Sequence, residues 1–234
     1  MRWPRLTRRR RHWRISQEPP DPARDRARMV AEQLEARGIR DPDVLQAFST
    51  VPRHAFVEDD QAYGDHALPV GAGQTISQPY IVARMTQLAR PRGGWQGAPT
   101  LEVGTGSGYQ AAILSELGAD VTSIERHESL ATEAKERLRS AGYTDVKVVV
   151  GDGTAGWSAG APYRSILVTA GGPSVPQPLI EQLHAEGGRL VMPVGGREHQ
   201  FLTLVERDGD DVQATQLEPV VFVPLIGRYG VRED

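Results

Sequence analysis

The sequence contains no cysteine in its 234 residues. This absence excludes a disulfide framework, a thiolate metal site and a cysteine nucleophile. It also fits a reducing compartment, so we expect a cytoplasmic protein. No apolar run approaches the ~20 residues that a membrane-spanning helix needs, so no membrane partner is expected. The six histidines form no ligand-spaced pair, and no metal site is expected.

Positive charge is concentrated at one end of the chain. Residues 1–14 hold seven arginines and no acidic residue, and subtracting +7 from the net charge of −3 leaves −10 on the remainder. A body that acidic is a poor general binder of nucleic acid, so none is expected as a partner. Residues 1–20 have no core positions and end in two prolines, which predicts a disordered extension. A tail that binds nucleic acid or a membrane surface is the alternative.

The most specific pattern runs from Thr100 to Arg126: TLEVGTGSGYQAAILSELGADVTSIER. An apolar run carrying Glu102 is followed by three glycines at alternate positions, an apolar helical stretch, and a second apolar run that ends in Glu125. This order predicts strand, glycine loop, helix and strand in one βαβ unit. We expect a nucleoside-bearing ligand, because glycines admit it to the backbone and Glu125 can accept hydrogen bonds from both ribose hydroxyls.

The rest of the chain predicts helices before this unit and strands after it. Asp-Pro pairs at 21–22 and 41–42 each mark a helix start. Residues 61–80 form a long polar connection that ends in a helix starting near Pro79, and a structured loop of that length is usually functional. Further strands are expected at 146–150, 165–169 and 189–194, then an antiparallel pair at 200–206 and 212–224 whose last strand includes Val220 to Val223.

The spacing of the glycines separates two kinds of nucleotide site. The dinucleotide fingerprint G-x-G-x-x-G is excluded, because its last position here is Tyr109. A loop that reads acid-x-G-x-G-x-G resembles the first motif of the class I S-adenosylmethionine-dependent methyltransferases. Residues 28–227 closely resemble the protein-L-isoaspartate O-methyltransferase family, with QTISQP at 74–79 the most diagnostic part. The resemblance is carried by VPRHAF (51–56), LPVGAGQTISQPYIVA (68–83), LEVGTGSGYQAA (101–112), IER (124–126), GDGTAGW (151–157), ILVTA (166–170), GGRLVMPVG (187–195) and FVPLIG (222–227).

The resemblance implies an α/β, Rossmann-like class I methyltransferase fold, with a doubly wound, mostly parallel sheet, an antiparallel C-terminal strand pair and an N-terminal helical cover. It implies methyl transfer from S-adenosyl-L-methionine, which leaves S-adenosyl-L-homocysteine, to the free carboxylate of L-isoaspartyl residues in damaged proteins and peptides. This step starts repair through a succinimide. We expect a monomer made of a basic extension (1–20), N-terminal helices and substrate loop (21–90), a cofactor-binding core (91–227) and a tail (228–234).

The resemblance also implies residue roles. Ser77 matches the serine of that family's active site, and we interpret it as a positioning hydroxyl because no G-x-S-x-G elbow surrounds it; a helix-capping hydroxyl is the alternative. Asp152 is placed to accept a hydrogen bond from the adenine amine, with a simple Asp-Gly turn as the alternative. The implied cofactor residues are Glu102, Gly104, Thr105, Gly106, Ser107, Gly108, Glu125, Arg126, Gly151, Asp152 and Gly153, and the implied peptide-channel residues are Ile76, Gln78, Pro79, Val168 and Thr169.

The implied chemistry needs no base. A carboxylate of pKa about 4 is ionised at pH 7, so catalysis reduces to in-line placement and exclusion of water. The alternative function is a dedicated enzyme that methylates one aspartate of a ribosomally made precursor peptide and so forms an aspartimide or isoaspartate. A non-catalytic nucleic-acid-binding protein is a third. Two departures from the family bear on the shape of the peptide channel: Arg164, where members commonly carry an acid, and Gly171-Gly172.

Overall fold

The computed structural model describes residues 21–232, so the predictions for residues 1–20 and for the end of the tail lie outside the described residues. The first helix begins as predicted at Asp21, whose carboxylate accepts hydrogen bonds from the backbone N–H groups of Ala23 at 3.1 Å and Arg24 at 3.3 Å. Asp41 caps the second helix in the same way. Both Asp-Pro pairs therefore start helices because the carboxylate satisfies free N–H groups and proline already holds the helical φ.

The secondary structure follows the predicted order. Helix α1 (Pro22–Arg28) continues as a π-helical segment (Met29–Leu34) and a 3₁₀ turn (Glu35–Arg37), and ends at Gly38 with φ 95°. The other helices are α2 (Pro42–Thr50), α3 (Pro79–Leu88), α4 (Tyr109–Glu116), α5 (Glu128–Ser140) and α6 (Gln177–Glu181). The strands are β1 (Leu68–Gly71), β2 (Gln74–Ile76), β3 (Pro99–Val103), β4 (Asp120–Glu125), β5 (Lys147–Val150), β6 (Ser165–Val168), β7 (Glu186–Gly195), β8 (Gln200–Asp208) and β9 (Asp211–Val220).

Seven of these strands form one sheet in the order β5-β4-β3-β6-β7-β8-β9. The strands β3 to β7 are mutually parallel, and β8 and β9 add an antiparallel pair. This is the predicted mostly parallel sheet. The order reverses between β3 and β6, and such a reversal opens a crevice at the carboxyl ends of the two strands.

Helices cover both faces of the sheet. Successive residues of a strand point to opposite faces, and successive residues of the central strands belong to two different hydrophobic clusters. Leu167 and Val191 pack with the buried side chains of α2 to α5 and of the π-helical segment. Their neighbours Ile166 and Leu190 pack with Leu179 of α6 on the opposite face. The predicted N-terminal cover thus shares one core with the helices that follow the glycine loop.

Residues 61–80 contain an element that the sequence analysis did not predict. Strands β1 and β2 pair as an antiparallel hairpin, with Leu68 opposite Ile76, and this hairpin forms a two-stranded sheet of its own. Its turn uses positive φ at Gly71, Ala72 and Gly73. Glycine and most polar residues are rare in strands, so this stretch gives little strand signal. The sequence therefore predicted an irregular connection here and not a hairpin.

The last strand is shorter than predicted. It ends at Val220, whereas the sequence analysis extended it to Val223. The reason is the buried Gln200 side chain, which accepts a hydrogen bond from Phe222 N at 2.8 Å and donates to Phe222 O at 3.2 Å. These bonds take the place of strand pairing, and the chain turns toward Gly171, whose N–H donates to Val223 O.

Gly171 provides the space for this side-chain clamp, and this leads to a stability prediction. A Cβ at position 171 would lie 2.4 Å from the Gln200 amide nitrogen, so Gly171→Ala must displace the amide and break its two bonds to Phe222. We expect a loss of about 1–2 kcal/mol of unfolding free energy in urea titrations. Gly196→Ala is the matched control, because a Cβ there meets nothing within 4 Å. Equal stability of the two variants would contradict the clamp.

Candidate functional site

The predicted site residues gather at the reversal between β3 and β6. The Thr169 hydroxyl, just after β6, donates to the Gly104 carbonyl oxygen at 2.7 Å and lies 3.1 Å from that of Val103. Gly104 adopts φ +97°, and a Cβ there would lie 2.4 Å from the Thr169 Oγ1. The two strand tips can therefore approach this closely only because residue 104 is glycine.

Gly108 has a different task from the other two glycines of the loop. It precedes α4 with φ +92°, and a Cβ there would lie 3.2 Å from Leu138 of α5. Gly104 and Gly106 both line cavities at the crevice, whereas Gly108 lines none of those described below. Its missing side chain allows helix packing behind the loop.

Glu102 lies at the bottom of what we term the inner cavity, lined by Thr75, Ser77, Glu102, Gly106 and Gln110 among others. The side chain is fully buried. Its Oε2 accepts a hydrogen bond from Ser123, whose hydroxyl lies 2.5 Å from that of Thr105. Its Oε1 has no hydrogen-bond partner among residues 21–232. Burial raises the pKa of Glu102 to about 8, against the lowering effect of the Ser123 hydrogen bond and with a further rise from the nearby Glu125.

This orphaned oxygen bears on the predicted cofactor. A buried carboxyl oxygen without a partner is costly unless a ligand donates to it. The α-ammonium of a methionine group is such a donor, and the inner cavity is where Glu102 can meet it. The residues present therefore fit the methionine portion of S-adenosylmethionine. Thr105 and Ser107 also line this cavity.

Glu125 faces a second space, the middle cavity, lined by Gly104, Gly106, Glu125, Arg126 and Gly153 together with segment 223–226. Its Oε2 accepts a hydrogen bond from Gly106 N at 2.9 Å, and its Oε1 accepts one from His127 N at 3.0 Å. The carboxylate is thus held in place by the glycine loop itself. Each oxygen keeps a lone pair with which it can accept a further bond from a hydroxyl.

Asp152 is more fully engaged than the adenine interpretation requires. Its Oδ1 accepts bonds from Thr154 N at 2.9 Å and Thr154 Oγ1 at 2.6 Å, and its Oδ2 accepts one from Arg228 N at 2.8 Å. Partial desolvation raises its pKa, but these bonds outweigh it and the pKa is lowered overall. Asp152 and Gly151 line a surface pocket with Arg126 and Arg228, whereas Gly153 reaches the middle cavity. Asp152 therefore also anchors the segment that follows β9.

The predicted peptide side lies across the crevice. Ser77 lines both the inner cavity and a larger outer groove of about 930 Å³. Gln78, not Ser77, is the N-cap residue of α3, and it makes no side-chain capping bond. The Ser77 hydroxyl has no hydrogen-bond partner within residues 21–232, although its carbonyl oxygen does. These contacts give no support to the capping interpretation.

The other predicted peptide-channel residues divide into two groups. Ile76 lines the inner cavity, Gln78 the outer groove, and Thr169 both of them. Pro79 and Val168 line neither, because both are buried in the packing beneath. Pro79 starts α3, and Val168 belongs to the core on the α6 face of the sheet.

Thr75 is the most informative residue that the sequence analysis did not single out. Thr75 and Thr169 are shared by the inner cavity, the middle cavity and the outer groove, so the three spaces meet between them. The far wall of the groove was also missed, although the resemblance of FVPLIG at 222–227 pointed to that part of the chain. This wall consists of Glu198, His199, Gln200, Phe201, Glu218, Pro219, Val220, Val221, Phe222 and Val223.

Arg164 lies away from the site, which corrects the expectation that it shapes the peptide channel. It precedes β6, and its N–H donates to the carbonyl oxygen of Pro99 at the start of β3. Its guanidinium donates to Glu186 O at 2.9 Å, at the start of β7. All three positions are at the amino ends of parallel strands, opposite the crevice. Gly171 does bear on the groove, through the Gln200 clamp.

The described part of the chain contains neither a metal-ligand cluster nor a membrane-spanning helix. Residues 21–232 hold no group of three or more side chains able to ligate a metal ion. Over the same range, no helix combines the length and apolarity needed to cross a bilayer.

The chain is similar to known proteins in both sequence and fold. The family profile for protein-L-isoaspartate(D-aspartate) O-methyltransferase matches residues 25–230. A protein-L-isoaspartate O-methyltransferase from Methanoregula boonei is 53% identical over 212 residues, which is 88% of this chain and 94% of the relative. One from Rhodopseudomonas palustris is 50% identical over 225 residues, 94% of this chain and 90% of the relative.

Two solved structures resemble the chain over most of its length. A protein-L-isoaspartate O-methyltransferase superposes with a TM-score of 0.78 at 28% identity, covering 88% of this chain and 67% of that one. A Plasmodium falciparum protein described as the same enzyme, in complex with S-adenosyl-L-homocysteine, superposes with a TM-score of 0.72 at 23% identity, covering 84% and 96%. The second likeness shows the shared fold.

The burial of Glu102 predicts a pH-dependent cost in stability. Its folded pKa of about 8 lies above its ordinary value of 4.5, so the folded chain resists ionisation that the unfolded chain undergoes. Stability is therefore lost progressively as pH rises from about 4.5 to 8. Glu102→Gln cannot ionise, and in urea titrations without ligand it should exceed the wild type by about 4 kcal/mol at pH 8 but not at pH 4.5. Exposed Glu128→Gln is the control, and a gain equal at both pH values would contradict the argument.

Proposed function

The chain belongs to the protein-L-isoaspartate O-methyltransferase family, and we propose that its inner and middle cavities hold S-adenosylmethionine while its outer groove receives the peptide. The enzyme transfers a methyl group from S-adenosylmethionine to the free carboxylate of L-isoaspartyl residues in proteins and peptides. Methylation turns that carboxylate into an ester, which closes to a succinimide and reopens in part as normal aspartate. The enzyme need perform only the first step.

The observation that carries the proposal is the meeting of three spaces at Thr75 and Thr169. A methyl transfer needs donor and acceptor in line and in contact, shielded from water. The donor side carries two buried carboxylates, Glu102 and Glu125. The acceptor side is a wide groove, and Ser77 lines both this groove and the inner cavity. This is the arrangement that a bound cofactor and an extended peptide require.

The cofactor, when bound, supplies a sulfonium-activated methyl group. In our proposal Glu102 accepts a hydrogen bond from its ammonium, Glu125 accepts from its ribose hydroxyls, and the Gly104–Gly106 backbone lies against it. Arg126 and the 151–153 turn border the adenosine end. The structure bears on Asp152 in one respect: its carboxylate is already held by Thr154 and Arg228, so we assign it chiefly to shaping that end.

Ser77 acts in the proposal by placement. The acceptor carboxylate is ionised at neutral pH, since free carboxyl groups have pKa values near about 4, and no proton has to be removed. What the site must do is turn one carboxylate oxygen toward the methyl group. A hydroxyl without a protein partner at the mouth of the inner cavity can donate to the other oxygen and fix that orientation.

The proposed placement predicts a selective defect. Ser77→Ala should lower kcat/KM for an isoaspartyl peptide by about 10–100-fold, the range typical of losing an orienting hydrogen bond in an active site. The affinity for S-adenosylhomocysteine, measured by calorimetry, should stay within about twofold. Ser140→Ala, on the exposed end of α5, is the control. A loss of cofactor affinity as large as the loss of turnover would move Ser77 to the cofactor side.

The function itself is tested with one peptide in two forms. The purified enzyme is given labelled S-adenosylmethionine and the same sequence with either an L-isoaspartyl or an L-aspartyl residue. We expect label on the isoaspartyl form and little on the other. Transfer to neither form, with cofactor still bound, would overturn the general repair function.

That last outcome would favour the second candidate, a dedicated aspartate O-methyltransferase of a ribosomally made precursor peptide. No specific observation favours it at present, and the width of the outer groove suits peptides of varied sequence. Isoaspartyl proteins and peptides are therefore the partners we propose. The monomeric state and the cytoplasmic location stay predictions, as does the division at residues 20, 90 and 227.

A further inference from the structure

Arg53 is a buried cation outside the residues assigned so far. It is 0% exposed, in the 3₁₀ turn Arg53–Ala55 of the N-terminal cover. Its Nε donates to Ala62 O at 2.7 Å, and one terminal nitrogen donates to Ser77 O, also at 2.7 Å. The other terminal nitrogen has no well-formed hydrogen bond within residues 21–232, although Tyr109 is close enough to interact with the guanidinium. The guanidinium carbon lies 5.0 Å from the centre of the Tyr109 ring.

No carboxylate neutralises this charge. Within residues 21–232 Arg53 forms no ion pair, and Asp65 exerts only a longer-range attraction. Burial lowers the pKa of the guanidinium, and the neighbouring Tyr109 and Tyr63 oppose that effect. Burying a cation against neutral carbonyls is costly, and an apolar side chain of similar volume would often be as stable or more so. Stability alone is therefore a poor explanation for an arginine at this position.

The contacts of Arg53 join the two sides of the site. Tyr109 is the first residue of α4, directly after the glycine loop, and its ring is fixed by edge contacts with Phe48 and Phe56. This rigid aromatic socket holds one face of the guanidinium. One terminal nitrogen of the guanidinium donates to the carbonyl of Ser77. Arg53 therefore links the Ser77 carbonyl to Tyr109, the first residue of the helix that follows the glycine loop.

Ser77 lies in a short connection and has few bonds of its own. It follows β2, whose hairpin forms a two-stranded sheet separate from the main one and joins the core through the side chains of Leu68 and Ile76. Those packing contacts belong to the strands, and Ser77 lies beyond them. The Ser77 hydroxyl adds no bond of its own to a residue of the described chain. Its carbonyl bond to Arg53 is the direct polar link between this residue and the core.

We propose that Arg53 is a positioning residue for methyl transfer: by holding the Ser77 carbonyl against the Tyr109 socket, it sets the Ser77 hydroxyl relative to the cofactor. The role rests on the proposed function of Ser77. It concerns orientation of the acceptor carboxylate, and it leaves the cofactor contacts of Glu102 and Glu125 untouched.

The test separates positioning from folding. Arg53→Met fills the site without a charge, so it should fold with an unfolding midpoint equal to or above that of the wild type. We expect its kcat/KM for an isoaspartyl peptide to fall at least 10-fold, and its affinity for S-adenosylhomocysteine to stay within threefold. Amide hydrogen exchange at residues 74–78 should become faster. Arg53→Lys keeps a donor but loses the two-nitrogen geometry of the guanidinium, so its kcat/KM should lie between those of the wild type and Arg53→Met. It serves as the test if the methionine variant does not fold.

Met29→Ala is the matched control. Met29 is 0% exposed in the same cover, so the truncation removes stability without touching Ser77. It should lower the unfolding midpoint and leave kcat/KM per folded molecule, and exchange at 74–78, unchanged. Wild-type kinetics in Arg53→Met, or a parallel loss of cofactor affinity, would overturn the proposal. If the wild-type enzyme itself fails to methylate the peptide, the proposed function fails, and hydrogen exchange alone still decides whether Arg53 holds the loop.

Discussion

The close approach of Thr169 to Gly104 is the contact on which the site depends. Two parallel strands whose connections run in opposite directions leave a crevice between their tips, and the width of that crevice decides what it can hold. The Thr169 hydroxyl closes the base of the crevice by bonding to the Gly104 carbonyl. A side chain at residue 104 would prevent this contact. The inner and middle cavities and the outer groove therefore open from one point, which is the geometric condition for the proposed transfer between two bound molecules.

Two buried ionisable side chains flank this point, and within residues 21–232 neither forms an ion pair with a group of opposite charge. Glu102 lies on the proposed cofactor side and Arg53 behind the proposed peptide side, and within residues 21–232 each has one polar atom without a hydrogen-bond partner. Most of the core is apolar, with side chains such as Leu101, Ile113 and Leu114 fully buried. The stability of the fold comes from that packing. Burying these two incompletely paired side chains lowers that stability, and their locations link the cost to the proposed binding and placement of ligands.

The sequence predicted the parts of the molecule that local patterns determine. The βαβ unit, the Asp-Pro helix starts and the order of the strands follow from hydrophobic periodicity and from capping chemistry within a few residues. The hairpin β1–β2 was missed, because its residues carry almost no strand signal and its pairing is a property of the folded chain. The end of the last strand was misplaced for a related reason: the Gln200 side chain, 22 residues away from Phe222, replaces the backbone pairing. Arg164 was linked to the peptide channel by proximity to a strand, without regard to which end of that strand it occupies.

The two halves of the site differ in how the chain builds them, and this explains which half could be predicted. Most of the proposed cofactor side comes from one stretch, residues 101–153, so its motif can be read along the sequence. The peptide groove is assembled from residues near 75–81, 169, 198–201 and 218–223, and their meeting depends on the whole sheet. Substitutions in the distant wall can change which peptides fit while the cofactor residues stay the same. A methyl transfer that needs no base is suited to this division, because its rate depends on how the groove orients the acceptor and not on a fixed set of proton-transfer groups. Selectivity can then change by altering the groove alone, provided that Ser77 remains in place.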